Sequence, residues 1–371
     1  MNIAVNTRLL IDDIHGGIEW FTYETLSRIT RNQPGHNFYF LFDRQVNDSF
    51  IFSSNITPVV IRPKAVHPVL WYYWLEKKIP SVLKNIRADL FLSPDGMISL
   101  STDVPSLPVI HDISFFHRKD DLPFLKSQYN RHFFRKFAEK ATRIATVSEF
   151  SKKDLVDSWG ADHLKIDVVY NGASEIFYPM GYNSEEVDQI NPFFLFVGNL
   201  SPRKNVANLV RAYNLFRNES PSPVRLIIAG ERFSLNSELD RVIRQSPYQR
   251  DIILTGKRSR EQLRNLYNRA EALIFVPWFE GFGVPVIEAM RCGTPVIASN
   301  TTSIPEIAGE AAILVDPGNP AEIKSAMEKV VIDNDLQKSM IEKGFNQAAK
   351  FTWDNSAGLL WESILKSTNT K

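Results

Sequence analysis

The sequence predicts an α/β protein built from two parallel-sheet domains. Short apolar runs rich in Val, Ile and Phe alternate with longer helical patterns along the 371 residues, which is typical of parallel strands joined by helices. Each half opens with a strand, a glycine-bearing loop and a helix. A polar segment, Met180–Asn191, separates the halves. We therefore predict an N-terminal domain over 1–180 and a C-terminal domain over 181–352, with a last helix, about 353–371, that packs back on the first domain.

Both halves contain short apolar segments of the kind that form buried strands. In the first half these segments are Ile3–Asn6, Phe38–Phe42, Leu90–Leu92, Val109–Ile110, Ile144–Val147 and Ile166–Val169. In the second half they are Phe193–Val197, Arg225–Ala229, Ile252–Leu254, Ala272–Val276, Pro295–Ala298 and Ala312–Val315. Ligands of open α/β sheets bind at the carboxyl ends of the strands, so we expect the two sheets to face each other across a ligand-binding cleft.

Composition excludes several classes of function. Lys and Arg total 43 against 42 for Asp and Glu, so no global charge draws the chain to nucleic acid. The single cysteine, Cys292, excludes an internal disulfide, and the N-terminal residues lack the pattern of a secretion signal. No apolar run is long enough to cross a membrane. We therefore expect a cytoplasmic protein.

The usual signatures of cofactor and metal sites are absent from the sequence. It contains no G-x-G-x-x-G, G-x-x-x-x-G-K-[ST], H-E-x-x-H or C-x-x-C pattern. Asp333-Asn334-Asp335 has the spacing of some metal-binding carboxylates, but it lies between two helical patterns, so we interpret it as a turn between helices. Neither a cofactor nor a metal ion is expected.

The most informative window, Glu280–Ser299, reads EGFGVPVIEAMRCGTPVIAS. An apolar run precedes it, Gly281 and Gly283 free the backbone, and a helical pattern follows. The start of such a helix attracts a pyrophosphate because its first N–H groups are unpaired and the helix dipole is positive there. Glu280 in the loop and Glu288 in the helix can accept hydrogen bonds from sugar and ribose hydroxyls. The alternative is an ordinary helix start with one solvated carboxylate.

Three further segments carry candidate residues. VGNLSPRKN, residues Val197–Asn205, places Arg203 and Lys204 after a glycine turn, where they would neutralise phosphate oxygens; a solvated basic turn is the alternative. His111 follows the apolar run PVI, at a predicted strand end, and we assign it to a sugar hydroxyl rather than to a structural role. Gly16 and Gly17 precede the first helix, where they either approach a phosphate or make a tight turn.

One predicted helix has two open interpretations. The segment Lys126–Arg143 carries Tyr129, Phe133, Phe134 and Phe137 at helical spacing, with basic residues elsewhere around the turn. Such a helix either rests on an anionic membrane or places its aromatic stripe in the core. The segment His67–Lys78 invites the same membrane interpretation with less charge.

Taken together, these motifs resemble glycosyltransferase family 4, whose members are retaining, nucleotide-sugar-dependent enzymes with the GT-B fold of two Rossmann-like domains. The resemblance covers nearly the whole chain. Besides the Glu280–Ser299 window it includes VIHDISF, TVSEFSK, VVYNG and LTGKRSREQLRNLYNRA, in that order. Bacterial polysaccharide mannosyltransferases are similar in their PRKN-like phosphate loops.

The resemblance implies a role for each candidate residue. His111 and Glu280 would contact the transferred sugar, Lys204 the diphosphate and Glu288 the ribose. Backbone groups would contact the donor in two places. These are the phosphate loop at Gly16 and Gly17, and the amides of Phe282, Gly283 and Val284. The chain departs from the family pattern at Asn199, where many members have Arg; Arg203 is our hypothesis for the replacement.

The function that follows is transfer of a hexose, with mannose from GDP-mannose as first choice, to a glycan or lipid-linked glycan of a cell-surface polysaccharide. The N-terminal domain would bind the acceptor and the C-terminal domain the nucleotide, with peripheral association at the inner face of the membrane. UDP-glucose or another UDP-hexose is the alternative donor. Two other classes stay open: a sugar-nucleotide epimerase and a non-catalytic glycan-binding subunit.

Overall fold

The computed structural model describes residues 1–11, 16–181, 192–219, 223–232 and 237–369. The chain forms two compact units, one of Met1–Gly172 with Trp353–Lys371 and the other of Ala173–Thr352. Most of the predicted boundary segment, Met180–Asn191, lies outside the described residues. Each unit contains a parallel sheet with helices, so the predicted α/β class with two parallel-sheet domains is confirmed.

The N-terminal unit has a five-stranded parallel sheet of order β3-β2-β1-β4-β5. Its strands are β1 (Asn2–Asn6), β2 (Asn37–Phe42), β3 (Ile56–Val60), β4 (Leu90–Ser93) and β5 (Ser106–Pro108). A parallel pair, β6 (Ile144–Thr146) and β7 (Ile166–Val168), is linked to this sheet by the bridge between Val109 and Ala145. Strand β3 was not predicted: it is an edge strand with Thr57 and Pro58 exposed, so it lacks a continuous apolar run.

The C-terminal unit has a six-stranded parallel sheet of order β10-β9-β8-β11-β12-β13. Its strands are β8 (Phe193–Val197), β9 (Arg225–Ala229), β10 (Ile252–Gly256), β11 (Ala272–Phe275), β12 (Val296–Ser299) and β13 (Ala312–Val315). The central strands β8, β11 and β12 are fully buried. That burial explains why their sequences are continuous apolar runs and why they were predicted to within one residue at each end.

Helices connect the strands and cover the sheets. In the first part of the chain they are α1 (Gly17–Asn32), α2 (Pro68–Tyr73), α3 (Ile79–Asn85), α4 (Ser114–His117), α5 (Phe124–Lys140) and α6 (Glu149–Trp159). They continue with α7 (Val206–Glu219), α8 (Ser237–Gln245), α9 (Arg260–Arg269), α10 (Val284–Arg291), α11 (Ile304–Ala308), α12 (Pro320–Ile332), α13 (Asn334–Ala348) and α14 (Trp353–Thr368). A π-helical segment, Trp74–Lys78, joins α2 to α3.

The last helix, α14, belongs to the N-terminal unit. Asp354 accepts a hydrogen bond from Arg28 Nε of α1 at 2.8 Å, and Ser363 Oγ donates to Asp167 Oδ2 of β7 at 2.8 Å. Trp353 packs edge-on against Phe21 at a ring separation of 6.3 Å. Contacts with both ends of the N-terminal sequence therefore hold α14 in this unit.

The aromatic stripe of α5 lies in the hydrophobic core. Tyr129, Phe134 and Phe137 are 8%, 6% and 0% exposed, and Phe133 is partly buried against the same core cluster. Of the two interpretations that the sequence left open, the structure therefore selects the core for this stripe. Exposed apolar side chains on these helices lie instead on α2 and on the first turn of α5.

Candidate active site

The loop after β11 is held by hydrogen bonds from the loop after β12. Ser303 Oγ donates to the carbonyl oxygens of Glu280 and Phe282, at 2.8 and 3.0 Å. The Glu280 amide donates to Thr302 Oγ1 at 3.3 Å. Because β11 and β12 are neighbours in the sheet, their carboxyl-end loops meet. This contact fixes the backbone that carries Glu280.

Gly283 is required where this loop enters α10. Its φ of +107° lies in the left-handed region. A Cβ at this position would lie 2.6 Å from Ile304 Cδ1. Val284 begins α10, and its amide, at the first helical position, has no carbonyl partner within the helix. Pro285 has no N–H, and the Val286 amide donates to the Gly283 carbonyl at 3.0 Å. A positively polarised helix start therefore follows Glu280 after three intervening residues, as an anion site requires.

We expect Gly283→Ala to lower the free energy of unfolding by about 1–3 kcal/mol, because alanine is strained at positive φ and its Cβ would press against Ile304. Gly358→Ala in α14 is the matched control. Gly358 is exposed and helical, and an added Cβ meets no heavy atom within 4 Å. That variant should gain about 0.5–1 kcal/mol. Urea unfolding measures both, and an unchanged Gly283→Ala protein would contradict the structural role of this glycine.

Two cations meet the carboxylate of Glu280. Lys204 Nζ lies 2.6 Å and Arg203 Nη1 2.9 Å from Glu280 Oε2. The side chains of Lys204, Glu280 and Arg203 are 8%, 13% and 21% exposed. Lys204 Nζ also lies 5.0 Å from the ring centroid of Phe275. We call Arg203, Lys204 and Glu280 the charge cluster; it combines a net positive charge with a carboxylate that can accept hydroxyl hydrogen bonds.

The turn that carries the two cations is fixed to the loop after β11. Asn205 has a left-handed φ of 60°. Its Nδ2 donates to the carbonyl oxygens of Val276 and Pro317, at 2.9 and 2.7 Å. The Trp278 amide donates to the Arg203 carbonyl at 2.8 Å. Strands β8 and β11 are adjacent in the sheet, so these bonds set the position of the cations relative to Glu280.

Asn199 lies on the same β8 loop but carries no charge. It is exposed, and its Oδ1 accepts a hydrogen bond from Ser201 Oγ at 2.9 Å. Next to it the backbone is crowded, because a Cβ on Gly230 would lie 1.8 Å from the Gly198 carbonyl oxygen. Asn199 therefore shapes the loop, and Arg203 brings a cation to the charge cluster from further along the turn.

Glu288 lies in the second turn of α10 in a separate environment. Its Oε2 accepts a hydrogen bond from the Tyr267 hydroxyl at 2.9 Å. Burial raises the pKa of Glu288 to about 7, while the Tyr267 bond and the charge of Arg260 act to lower that pKa. The carboxyl group of Glu288 therefore changes its charge near neutral pH.

His111 follows β5 in the N-terminal unit. Its Nε2 lies 3.0 Å from the Pro94 carbonyl oxygen, which identifies Nε2 as the protonated nitrogen and leaves Nδ1 as an acceptor. The ring packs edge-on against Phe21 at 5.0 Å. Burial lowers the pKa of His111, so the imidazole is neutral at neutral pH. A neutral imidazole suits a sugar hydroxyl better than a phosphate.

Gly16 and Gly17 lie at the start of α1 in the N-terminal unit. Gly16 is the N-cap residue, with extended backbone, and Gly17 is exposed. A Cβ on Gly17 would meet no heavy atom within 4 Å, whereas a Cβ on Gly16 would meet the flexible carboxylate of Glu19 at 2.2 Å. Packing therefore does not require glycine at Gly17.

The structure thus brings Arg203, Lys204 and Glu280 together. Phe282, Gly283 and Val284 lie where the loop that carries Glu280 enters α10. Asn199 and Glu288 lie in the same unit, whereas His111, Gly16 and Gly17 belong to the other unit. Sequence reasoning missed Tyr267 and Ser303, which hold Glu288 and the Glu280 loop. Tyr267 lies in the motif LTGKRSREQLRNLYNRA, but a helical aromatic gives no signal that its hydroxyl has a polar partner.

Within the described ranges, no group of three or more His, Cys, Asp or Glu side chains is arranged to hold a metal ion. Asp333 caps α13, since its Oδ1 accepts hydrogen bonds from the amides of Asp335 and Leu336 at 3.1 and 2.9 Å. The segment therefore joins two helices, as predicted, but Asn334 and Asp335 are the first residues of α13 rather than part of a turn. No helix in the described part of the chain is long and apolar enough to span a membrane.

Known proteins are similar to this chain in sequence and in fold. The O-antigen chain mannosyltransferase B of Escherichia coli is 28% identical over 257 residues, which are 67% of this chain and 67% of the relative. The O-antigen chain mannosyltransferase RfbU of Salmonella typhimurium is 25% identical over 316 residues, 84% of each chain. The structure of Anabaena HepE in complex with UDP and glucose has a TM-score of 0.75 at 15% identity, covering 98% of this chain and 99% of that one. This likeness shows the GT-B fold.

Two family models match the sequence in succession. The Glycosyltransferase Family 4 model matches residues 15–175, and the Glycosyl transferases group 1 model matches residues 183–347. The resemblance inferred from the motifs is confirmed, and the chain belongs to the glycosyltransferases that pair these two domains.

Proposed function

We propose that the protein is a retaining glycosyltransferase that transfers a hexose from a nucleoside-diphosphate sugar to a glycan or lipid-linked glycan in cell-surface polysaccharide synthesis. The observation that carries the proposal is the charge cluster, which joins the turn after β8 to the loop before α10. Its two cations suit a diphosphate and its carboxylate suits the hydroxyls of a sugar. Such a site binds the diphosphate and the sugar of a sugar nucleotide through neighbouring side chains.

In the proposed reaction the protein supplies position and charge rather than a nucleophile. Lys204 and Arg203, with the Val284 amide at the start of α10, stabilise the negative charge that grows on the departing diphosphate. A diphosphate oxygen accepts the proton of the acceptor hydroxyl on the face where the new bond forms, so the anomeric configuration is retained. Glu280 holds the transferred sugar through its hydroxyls, and Glu288 holds the ribose.

The N-terminal unit is assigned to the acceptor, apart from His111 and Gly17, which keep the donor roles that the resemblance implies. His111 presents Nδ1 as an acceptor because Nε2–H is used by the Pro94 carbonyl. That arrangement orients one donating hydroxyl of a sugar. Gly17 can take a ligand close to its backbone, since no heavy atom of the described residues lies within 4 Å of where its Cβ would be.

Mannose from GDP-mannose is the first choice of donor, supported by the two O-antigen mannosyltransferases among the relatives. A UDP-hexose is the second candidate, supported by the UDP and glucose in the HepE structure. Neither candidate requires a metal ion, because the two cations of the charge cluster supply positive charge at the diphosphate.

A thermal-shift screen against GDP-, UDP- and ADP-sugars tests the donor. A ligand that binds only the folded state at about 100 times its dissociation constant adds about 2.7 kcal/mol of stability, so the true donor raises the melting temperature clearly. The selected donor is then incubated with and without acceptor glycan. Transfer with retention supports the proposal, an epimer formed from donor alone identifies an epimerase, and donor-independent glycan binding identifies a binding subunit.

We further propose that α2 and the first turn of α5 form a membrane-facing surface. Val69, Tyr72 and Tyr73 on α2 are 68%, 46% and 40% exposed, and Phe124 and Leu125 on α5 are 73% and 57% exposed. The two helices pack together through Tyr72 and Phe133, with ring centroids 5.8 Å apart. Lys78 Nζ lies 5.6 Å from the Tyr73 ring centroid, and exposed Lys126 follows Leu125 in the chain, so cations accompany these apolar side chains, as at an anionic lipid surface.

We expect the variant Phe124→Ser/Leu125→Ser to lose sedimentation with vesicles that contain anionic phospholipid, because the apolar anchor is removed while the fold keeps its core. The expected decrease is about 10-fold or more for two large side chains. Ile332→Ser, at a side chain 79% exposed on the C-terminal unit, is the control and should sediment like the parent. Equal binding of all three proteins would exclude this surface.

A further inference from the structure

Tyr267 connects two helices of the C-terminal unit through a partly buried hydrogen bond. It lies on α9, is 0% exposed, and donates its hydroxyl to Glu288 Oε2 of α10 at 2.9 Å. Its ring packs edge-on against Phe177 at 5.7 Å, and its carbonyl oxygen accepts a hydrogen bond from Thr294 Oγ1 at 2.7 Å. Ring, backbone and hydroxyl are all held, so the hydroxyl has a fixed direction.

The fixed hydroxyl of Tyr267 constrains the orientation of Glu288 and favours its charged form. A hydrogen bond to a carboxylate favours its ionised form, and it ties one oxygen so that the other has a defined direction. The groups that face Glu288 are Tyr267 and Arg260 from α9 and Cys292 at the end of α10. Burial raises the pKa of Tyr267 well above its ordinary value, so its hydroxyl stays protonated and remains a donor.

We propose that Tyr267 is a positioning residue for nucleotide binding: it orients Glu288 and favours its ionised form, so that the carboxylate accepts hydrogen bonds from the ribose hydroxyls of the donor. This proposal rests on the ribose role given to Glu288 above. It adds a residue that contacts no ligand itself and acts through another side chain. It also makes ribose recognition depend on pH, because only the ionised carboxyl accepts from both hydroxyls.

The ribose contribution can be isolated by comparing each nucleotide with its 2′-deoxy form. Calorimetry with GDP and 2′-deoxy-GDP, and with UDP and 2′-deoxy-UDP, gives the ratio of the two dissociation constants. Titration of the phosphates and loss of phosphate contacts affect both members of a pair and cancel in the ratio. For the parent protein we expect a ratio of about 10, as for one lost charge-assisted hydrogen bond, decreasing as the pH falls below the pKa of Glu288.

In Tyr267→Phe the ring still packs against Phe177, but the donor is removed. The pKa of Glu288 should rise, so the pH at which ribose discrimination is half lost should move up by about one unit, and the ratio at neutral pH should fall several-fold. Tyr213→Phe is the matched control. Tyr213 is also 0% exposed, but its hydroxyl donates to the Val224 carbonyl at 2.9 Å, so its loss should leave both the ratio and the midpoint unchanged.

Glu288→Gln separates the ribose role of Glu288 from the positioning role of Tyr267. If Glu288→Gln discriminates ribose as well as the parent does, the ribose role of Glu288 fails and the role of Tyr267 fails with it. If Glu288→Gln loses discrimination but Tyr267→Phe keeps the parent's ratio and midpoint, the role of Tyr267 alone is overturned. A uniform loss of affinity in Tyr267→Phe at every pH, with the ratio intact, would identify Tyr267 as purely structural and would overturn the proposal as well.

Discussion

Lys204→Ala should lower turnover by about 10²- to 10³-fold and weaken binding of the nucleoside diphosphate. The range is that of removing one preorganised group that stabilises developing negative charge. Lys204 is the more buried of the two cations in the charge cluster, with 8% of its side chain exposed. A charge held away from water acts more strongly on a nearby phosphate than an exposed one does. Because Arg203 still pairs with Glu280 in this variant, the loop should keep its position.

The control for Lys204→Ala is Lys338→Ala, since Lys338 lies on the same unit with 78% of its side chain exposed. Its turnover should equal that of the parent. Arg203→Ala tests the hypothesis that Arg203 replaces the cation missing at Asn199. If Arg203→Ala leaves turnover unchanged while Lys204→Ala abolishes it, that hypothesis fails. If Arg203→Ala reduces turnover, Asn199→Arg in the same protein should restore part of the loss.

The sheets could be predicted because a strand that is buried on both faces appears in the sequence as a continuous apolar run. Strands β8 and β9 lie within their sheet, and their apolar runs were predicted with the observed ends. Strand β3 could not be found in this way, since an edge strand with exposed Thr57 and Pro58 lacks the apolar signal. On α5 the aromatic spacing predicted a helix correctly. The sequence alone could not decide between core and membrane, because both environments favour the same side chains.

The residues of the candidate site could be predicted from the sequence, but their arrangement in space could not. Motif spacing selected Arg203, Lys204 and Glu280, yet the contacts of Glu280 with the two cations join positions 77 and 76 residues apart in the sequence. Those contacts depend on the pairing of β8 with β11 and on Asn205, which fixes the turn to the neighbouring loop. The Tyr267 bond to Glu288 likewise depends on how α9 and α10 pack. Such tertiary hydrogen bonds leave no periodic signal in a single sequence.

Glu280→Ala should separate catalysis from nucleotide binding. We expect turnover to fall by about 10²- to 10³-fold, because the transferred sugar loses the carboxylate that positions its hydroxyls. Affinity for the free nucleoside diphosphate should be unchanged or higher. In the parent, Glu280 offsets part of the charge of Lys204 and Arg203, which lie 2.6 and 2.9 Å away. Removing the carboxylate leaves both cations to the phosphates.

The charge cluster therefore predicts an order of affinities as well as single effects. Its formal charge is one positive in the parent, neutral in Lys204→Ala and two positive in Glu280→Ala. Diphosphate affinity should therefore be lowest in Lys204→Ala and at least as high in Glu280→Ala as in the parent, whereas turnover should fall in both variants. Calorimetry with the nucleoside diphosphate and a transfer assay on the same samples measure the two quantities, with Glu342→Ala, at an exposed position of the same unit, as control. Comparable losses of diphosphate affinity in Lys204→Ala and Glu280→Ala would mean that the two residues share one role, and the division between phosphate and sugar would be wrong.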